Sequence, residues 1–150
     1  MLIVPASLAP SRIHGTGLFA QTFIEKGATV WKYNTVIDRR FTRRGLRLLA
    51  EQQPTEVLVH ICTYSYKRRG YFWYMGDNAR FINHVQRGAN IALVDDLHEV
   101  ALRDIHPGEE LVENYFDNYD HDDFFVLEQQ QVDFSCWLAS PQEQPRRAAS

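Results

Sequence analysis

The stretch "HGTGLFA", residues 14–20, carries Gly15 and Gly17 in the pattern G-x-G-x-x-A. Glycines at that spacing let a backbone come close to a ligand phosphate, and Asp38 stands where a dinucleotide fold keeps its ribose-binding acid. Two later stretches carry other chemistry. "DNARFINHV" (77–85) brings Arg80, Asn83 and His84 close together in sequence, and "GEELVENY" (108–115) ends on Tyr115, whose hydroxyl can orient a reacting group. Seven acids then run from 109 to 123 with no lysine or arginine among them: Glu109, Glu110, Glu113, Asp117, Asp120, Asp122 and Asp123. That run reads as a solvated loop, as a docking rim for a lysine- or arginine-rich partner, or as a calcium loop, although it lacks the turning glycine of an EF-hand. Cys62 and Cys136 form no C-x-x-C pair, which removes a multi-thiolate zinc site; they read as two buried thiols, with a disulfide between them as the alternative.

The elements that must position these residues are short. Residues 1–13 contain Pro5 and Pro10 and read as extended. Residues 17–33 break at Glu25, Lys26 and Gly27 between apolar runs, which predicts two short strands rather than one helix. Within residues 42–53, Leu46, Leu49 and Ala50 fall at i, i+3 and i+4 among arginines, the pattern of an amphipathic helix. Pro54 ends it, and "TEVLVHI" begins a second short helix. Residues 64–81 place aromatic runs on both sides of a basic turn at 67–70, which predicts a hairpin. Further strands are expected at 90–95, 98–105 and 110–114, with a turn at Pro107 and Gly108. The fold class is mainly β with small inserted helices. The chain reads as a single domain over residues 1–137 with a mobile tail at 138–150.

Composition sets the outer bounds. A chain of 150 residues is long enough for one domain that buries roughly 68–70% of its unfolded surface. A net charge of −3 gives no reason to expect nucleic-acid binding and favours a basic partner. No cationic leader with an apolar core opens the chain, and no run reaches the ~18 apolar residues of a membrane helix. The expected compartment is the cytoplasm, or the nucleus in an organism that has one.

Context counts against a dinucleotide site. That site needs a buried strand running into the glycines and a helix starting at them. Here Pro10 precedes Gly15 closely, and Gly27 interrupts any helix that Gly17 could open.

Taken in order, "HGTGLFA", "DNARFINHV" with Asn90, and "GEELVENY" resemble the signature of SET-domain protein lysine methyltransferases, over about residues 12 to 116. The resemblance implies a fold of several small sheets with a knot-like C-terminal core, built from the 80–84 and 108–115 segments. It implies S-adenosylmethionine as methyl donor, with no metal. The cofactor pocket would draw on His14, Gly15, Thr16, Gly17 and Leu18, and on Arg80, Phe81, Asn83 and His84. Tyr115 would be the catalytic residue, with Tyr64, Tyr66 and Phe116 as walls of a lysine channel. Each of these aromatics also fits a core-packing role. The implied partner is a basic, lysine-containing protein, and a homodimer is compatible with the sequence.

The chemistry suits these residue types. Methyl transfer from a sulfonium to an amine is an in-line displacement, so alignment and desolvation supply most of the gain. A lysine with an ordinary pKa of about 10.4 must first lose a proton, and an apolar channel lowers that pKa. The sequence departs from the family in three places. "VQRGAN" replaces the usual S-C-x-P-N segment, Asn114 stands where Asp is usual, and Glu113 occupies a position that is often aromatic. The cysteine-rich segment of many relatives is missing, so Phe124, Phe125, Phe134 and Trp137 are expected to close the channel as a lid or to pack a dimer interface. These departures keep open a second reading, a non-catalytic SET module that binds a peptide or partner protein.

Overall fold

The computed structural model describes residues 1–120. Proline- and glycine-punctuated runs of apolar residues form short strands that pair far along the chain. β1 (Ala6–Pro10) and β2 (Thr16–Ala20) make an antiparallel ribbon in register from Ala6 opposite Ala20 to Pro10 opposite Thr16. The extended opening segment is therefore partly a strand. The two strands expected around Gly27 are β2 and β3 (Thr29–Lys32), but they do not pair with each other. β3 pairs instead with β9 (His98–Ala101), which also pairs with β8 (Ile91–Leu93).

The aromatic hairpin forms as the sequence predicts, from β5 (Ser65–Arg68) and β6 (Tyr71–Tyr74), with β4 (Arg39–Phe41) on the other edge of β6. Arg69 and Gly70 turn the hairpin with positive φ of 50° and 76°, the pair of values a tight two-residue turn demands. The Asp120 carboxylate accepts both of their amides, at 3.0 and 2.9 Å, and so clips residue 120 onto the turn. Between β4 and β5 lie the two expected helices, α1 (Arg43–Gln52) and α2 (Thr55–Thr63). Thr42 caps α1 through the Gly45 amide, and Leu46, Leu58, Cys62 and Phe72 form the small core beneath. Cys136 lies outside the described residues.

A 3₁₀ turn (Asn78–Phe81) leads into β7 (Asn83–His84), which pairs in parallel with β10 (Val112–Glu113). This pair sets the 80–84 and 108–115 segments side by side. The strand expected at 110–114 is this short because Glu110 and Leu111 turn to β2 instead: Phe19 bridges Glu110, and the Leu111 amide donates to the Leu18 carbonyl at 2.7 Å. Likewise 98–105 stops at Ala101, and Ile105 reaches Ile24 only as an isolated bridge. A four-residue helix, α3 (Tyr115–Asn118), closes the described chain. The main core gathers Leu18, Val30, Trp31, Ile91, Ile105 and Leu111 from all these sheets, each such side chain contributing roughly 1.5–3 kcal/mol. No helix among the described residues is long and apolar enough to cross a membrane.

Candidate active site

Gly15 and Gly17 open a strand, not a helix, and Asp38 is buried, accepting the amides of Asn34 at 2.9 Å and Gly76 at 3.1 Å. Both features remove the dinucleotide reading. Asp38 is a loop tie.

Asn83 is the hinge of the glycine segment. Its buried amide nitrogen donates to the carbonyls of His14 (3.1 Å) and Thr16 (3.2 Å) and to the Glu110 carboxylate (2.8 Å). Glu110 in turn accepts from the Ser11 hydroxyl at 3.0 Å. It fills the space that a side chain at residue 17 would need: a Cβ on Gly17 would lie 2.2 Å from Oε1 of Glu110. Gly15 differs. Its φ is +46° and a Cβ there would meet nothing within 4 Å, so this part of the loop faces open space. Leu18 is fully buried and its carbonyl is spent on Leu111.

Tyr115 is fixed at both ends by the 82–84 segment. Its hydroxyl donates to the Ile82 carbonyl at 2.7 Å, and its amide donates to Nδ1 of His84 at 3.1 Å. That bond requires an unprotonated Nδ1, and burial holds the His84 pKa below its ordinary 6.5. The neighbouring Asn90 explains how "VQRGAN" still serves. Its side chain donates to the Glu110 carbonyl (2.7 Å) and accepts from the Val112 amide (2.8 Å), pinning β10 as a strand would.

A narrow cleft of about 50 Å³ ends at Tyr115 and is walled by Tyr64, Tyr66, Arg80, Ile82, Glu113 and Tyr119, among others. Tyr64 and Tyr66 thus line the same cleft as Tyr115. Phe116 does not line it. The Asn114 side chain caps the Phe116 amide, the helix turns, and the ring stands 48% exposed in an edge-to-face contact with His84. Arg80 lines the cleft, and its guanidinium lies over the rings of Tyr64 and Phe81, at 5.1 Å from each.

The sequence did not mark Tyr119 and Glu113 as site residues. Tyr119 stacks on Tyr66 with ring centroids 4.4 Å apart and donates its hydroxyl to Glu113. The departure of Glu113 from an aromatic was the only signal. Five acids of the 109–123 run are engaged within the chain. Glu109 pairs with Arg103, Glu110 holds Asn83, Glu113 holds Tyr119, Asp117 accepts from Asn114, and Asp120 caps the hairpin turn. Asp122, Asp123 and the lid aromatics Phe124, Phe125, Phe134 and Trp137 lie outside the described residues, as does the boundary at 137. No group of three or more His, Cys, Asp or Glu is placed to hold a metal ion among the described residues.

Small sheets that tie a glycine strand to an Arg-Phe-Ile-Asn-His segment through Asn83, and the same segment to a terminal tyrosine through Ile82 and His84, define the class that the motifs indicated. A model of the SET domain matches residues 15–116, and the chain belongs to the SET-domain family. Among solved structures it is similar to the Chaetomium thermophilum polycomb repressive complex 2 in an autoinhibited conformation bound to S-adenosylmethionine. The identity is 26% over 85% of this chain and 17% of that chain, with a TM-score of 0.55. A humanized mutant of the same complex bound to an inhibitor is similar at 25% identity, over 79% of this chain and 16% of that one, with a TM-score of 0.55. The chain therefore spans only 16–17% of the length of these relatives. No curated protein matches it at a significant level.

Proposed function

We propose that the chain transfers a methyl group from S-adenosylmethionine to a lysine side-chain amine of a basic protein. The observation that carries this reading is the double anchoring of Tyr115 on Ile82 and His84, on either side of the asparagine that ties the glycine loop. One segment thereby sets the tyrosine of the lysine cleft and the backbone of the cofactor loop relative to each other. The residues present fit the cofactor: Gly15 leaves open space above a loop whose carbonyls Asn83 has fixed, so the backbone around Gly15 can meet a ligand. Bound there, S-adenosylmethionine would supply an electrophilic methyl group. Tyr115 orients the attacking amine, with its hydroxyl held by Ile82, and the rings of Tyr64 and Tyr66 exclude water around the lysine stem. The test is incubation with labelled S-adenosylmethionine and a panel of basic proteins, followed by mass-spectrometric mapping of modified lysines. Methylated lysines are expected. Cofactor binding without transfer to any protein would favour the peptide-binding module instead, and no cofactor binding at millimolar ligand would end the enzyme reading.

A further inference from the structure

Glu113 is a carboxylate where a lysine channel has no need of one for packing. Its side chain is 2% exposed, yet it lines the same cleft as Tyr115, two residues on. The register of β10 against β7 puts it opposite His84. Tyr119 and Asn118 donate to its oxygens, the latter at 2.5 Å. In the same cleft, the buried hydroxyl of Tyr66 has no hydrogen-bond partner within the described residues. A buried polar group without a partner in a lined cleft is a place where a ligand group fits. A carboxylate and an unsatisfied hydroxyl together describe a receptor for an ammonium or amine.

Resting on the methyl-transfer reading above, we propose that Glu113 is the proton acceptor for the substrate lysine, with the Tyr66 hydroxyl oxygen accepting a further N–H of the same amine. The ammonium enters as an ion pair with the Glu113 carboxylate. One N–H bond breaks and one O–H bond forms on Glu113, so charge and protons balance: ammonium plus carboxylate becomes amine plus carboxylic acid. The freed lone pair on nitrogen is then available for the methyl group, and the acid returns its proton to solvent when product leaves. Burial favours the neutral pair over the ion pair, because desolvation lowers the amine pKa and raises that of the acid.

The surroundings poise Glu113 for this. Burial pushes its pKa up to about 7, against the lowering effect of Tyr119, Asn118 and the Arg68 guanidinium of β5. The other titratable or charged groups nearby are Tyr66 on β5, Glu99 on β9, His84 on β7, Tyr115 on α3 and Arg80 in the 3₁₀ turn. Burial first, and then the charge of Glu113, raise the Glu99 pKa well above its ordinary value.

Two measurements separate this inference from the reading it rests on. In the first, the pH profile of kcat for lysine methylation is compared between the wild type and E113Q. The variant is expected to lose at least about tenfold at neutral pH, to lose the limb near pH 7, and to recover as rising pH deprotonates the lysine without help. E113D, which keeps a carboxylate, should retain that limb at a lower rate. A rate within twofold of wild type for E113Q, or an E113D profile without the limb, overturns the proposal. The second needs no turnover. With n-butylammonium as probe at about pH 8.5, where Glu113 is ionised and the free amine is charged, infrared difference spectra should show a protonated carboxyl band appearing in the wild type and not in E113Q. Absence of the band in the wild type overturns the proposal. If the band appears in a protein that methylates no lysine, the amine site stands and the methyl-transfer reading falls.

Discussion

Tyr115 reaches its position through two hydrogen bonds with separate jobs. The amide bond to His84 sets where the backbone sits, and the hydroxyl bond to Ile82 sets where the oxygen points. Replacing Tyr115 with Phe keeps the first and removes the second. Turnover is expected to fall on the order of 100-fold, the scale of a misaligned reacting group, with a stability cost of about 1 kcal/mol for the lost bond. Calorimetry should show S-adenosylmethionine affinity within twofold of wild type, because the loop 14–17 is held by Asn83. Near wild-type turnover would remove Tyr115 from the chemistry. Gly17 makes a different residue-scale prediction. A Cβ there displaces the flexible end of Glu110, and the Glu110 bonds to Asn83 and Ser11 go with it. Gly17→Ala should therefore cost about 1–3 kcal/mol and weaken cofactor binding several-fold. In an E110A background the same substitution should cost clearly less, with only the Ser11 Cβ at 3.0 Å left to give way, and a double-mutant cycle measured by urea denaturation reads the difference. Equal costs in both backgrounds would mean that Glu110 is not what the glycine accommodates.

At the scale of elements, the tight packing lies at junctions that no local pattern announces. Gly76 follows β6 and precedes the 3₁₀ turn. A Cβ on it would stand 2.1 Å from the carbonyl oxygen of Ile37, and backbone cannot swing aside as a side chain can. Gly76→Ala is expected to cost more than ~4 kcal/mol, among the largest losses a single substitution produces, and to show as a collapse of the urea midpoint. A shift below ~1 kcal/mol would show that the 37–38 loop yields freely. The same junctions explain what the sequence revealed and what it hid. Helices α1 and α2 and the β5–β6 hairpin were legible because each is fixed by local periodicity, a cap or a turn. The sheet partners were not. β3 pairs with β9 across some seventy residues, and Asn90 stands in for a strand through its side chain alone. The candidate site was legible at Asn83, His84 and Tyr115, whose motif spacing marks them. Tyr119 was hidden because Asp120, caught on the hairpin turn, is what brings it over Tyr66. Phe116 misled because one residue of helical rotation sends it outward.

Across the whole molecule, the buried carboxyls set how stability depends on pH. Glu99 is fully buried with neither oxygen hydrogen-bonded among the described residues, and Glu113 is buried with Tyr119 and Asn118 donating to it. Both pKa values are raised in the folded chain, by burial first. A raised carboxyl binds its proton more tightly folded than unfolded. It stabilises the fold below the unfolded value of 4.5, and that contribution is lost as pH rises through the folded value, about 7 for Glu113. Glu99, raised well above 4.5, extends the loss in the same direction. His84 acts oppositely below its ordinary 6.5, since the unfolded histidine binds the proton more readily. Exposed Asp95 and half-buried Glu109, both held low, also act oppositely, with stability lost only as the solution becomes acid enough to protonate them. Two buried carboxyls outweigh one half-buried histidine, because burial is the larger effect on each. The urea midpoint should therefore fall as pH rises from about 5 to about 8, the reverse of a protein held by surface carboxylates. E99Q and E113Q together should flatten the profile and raise the midpoint at about pH 8, since the isosteric amide leaves no charge to bury. A midpoint that climbs across this range in the wild type, or a double variant with the wild-type slope, would place the pH dependence elsewhere in the molecule.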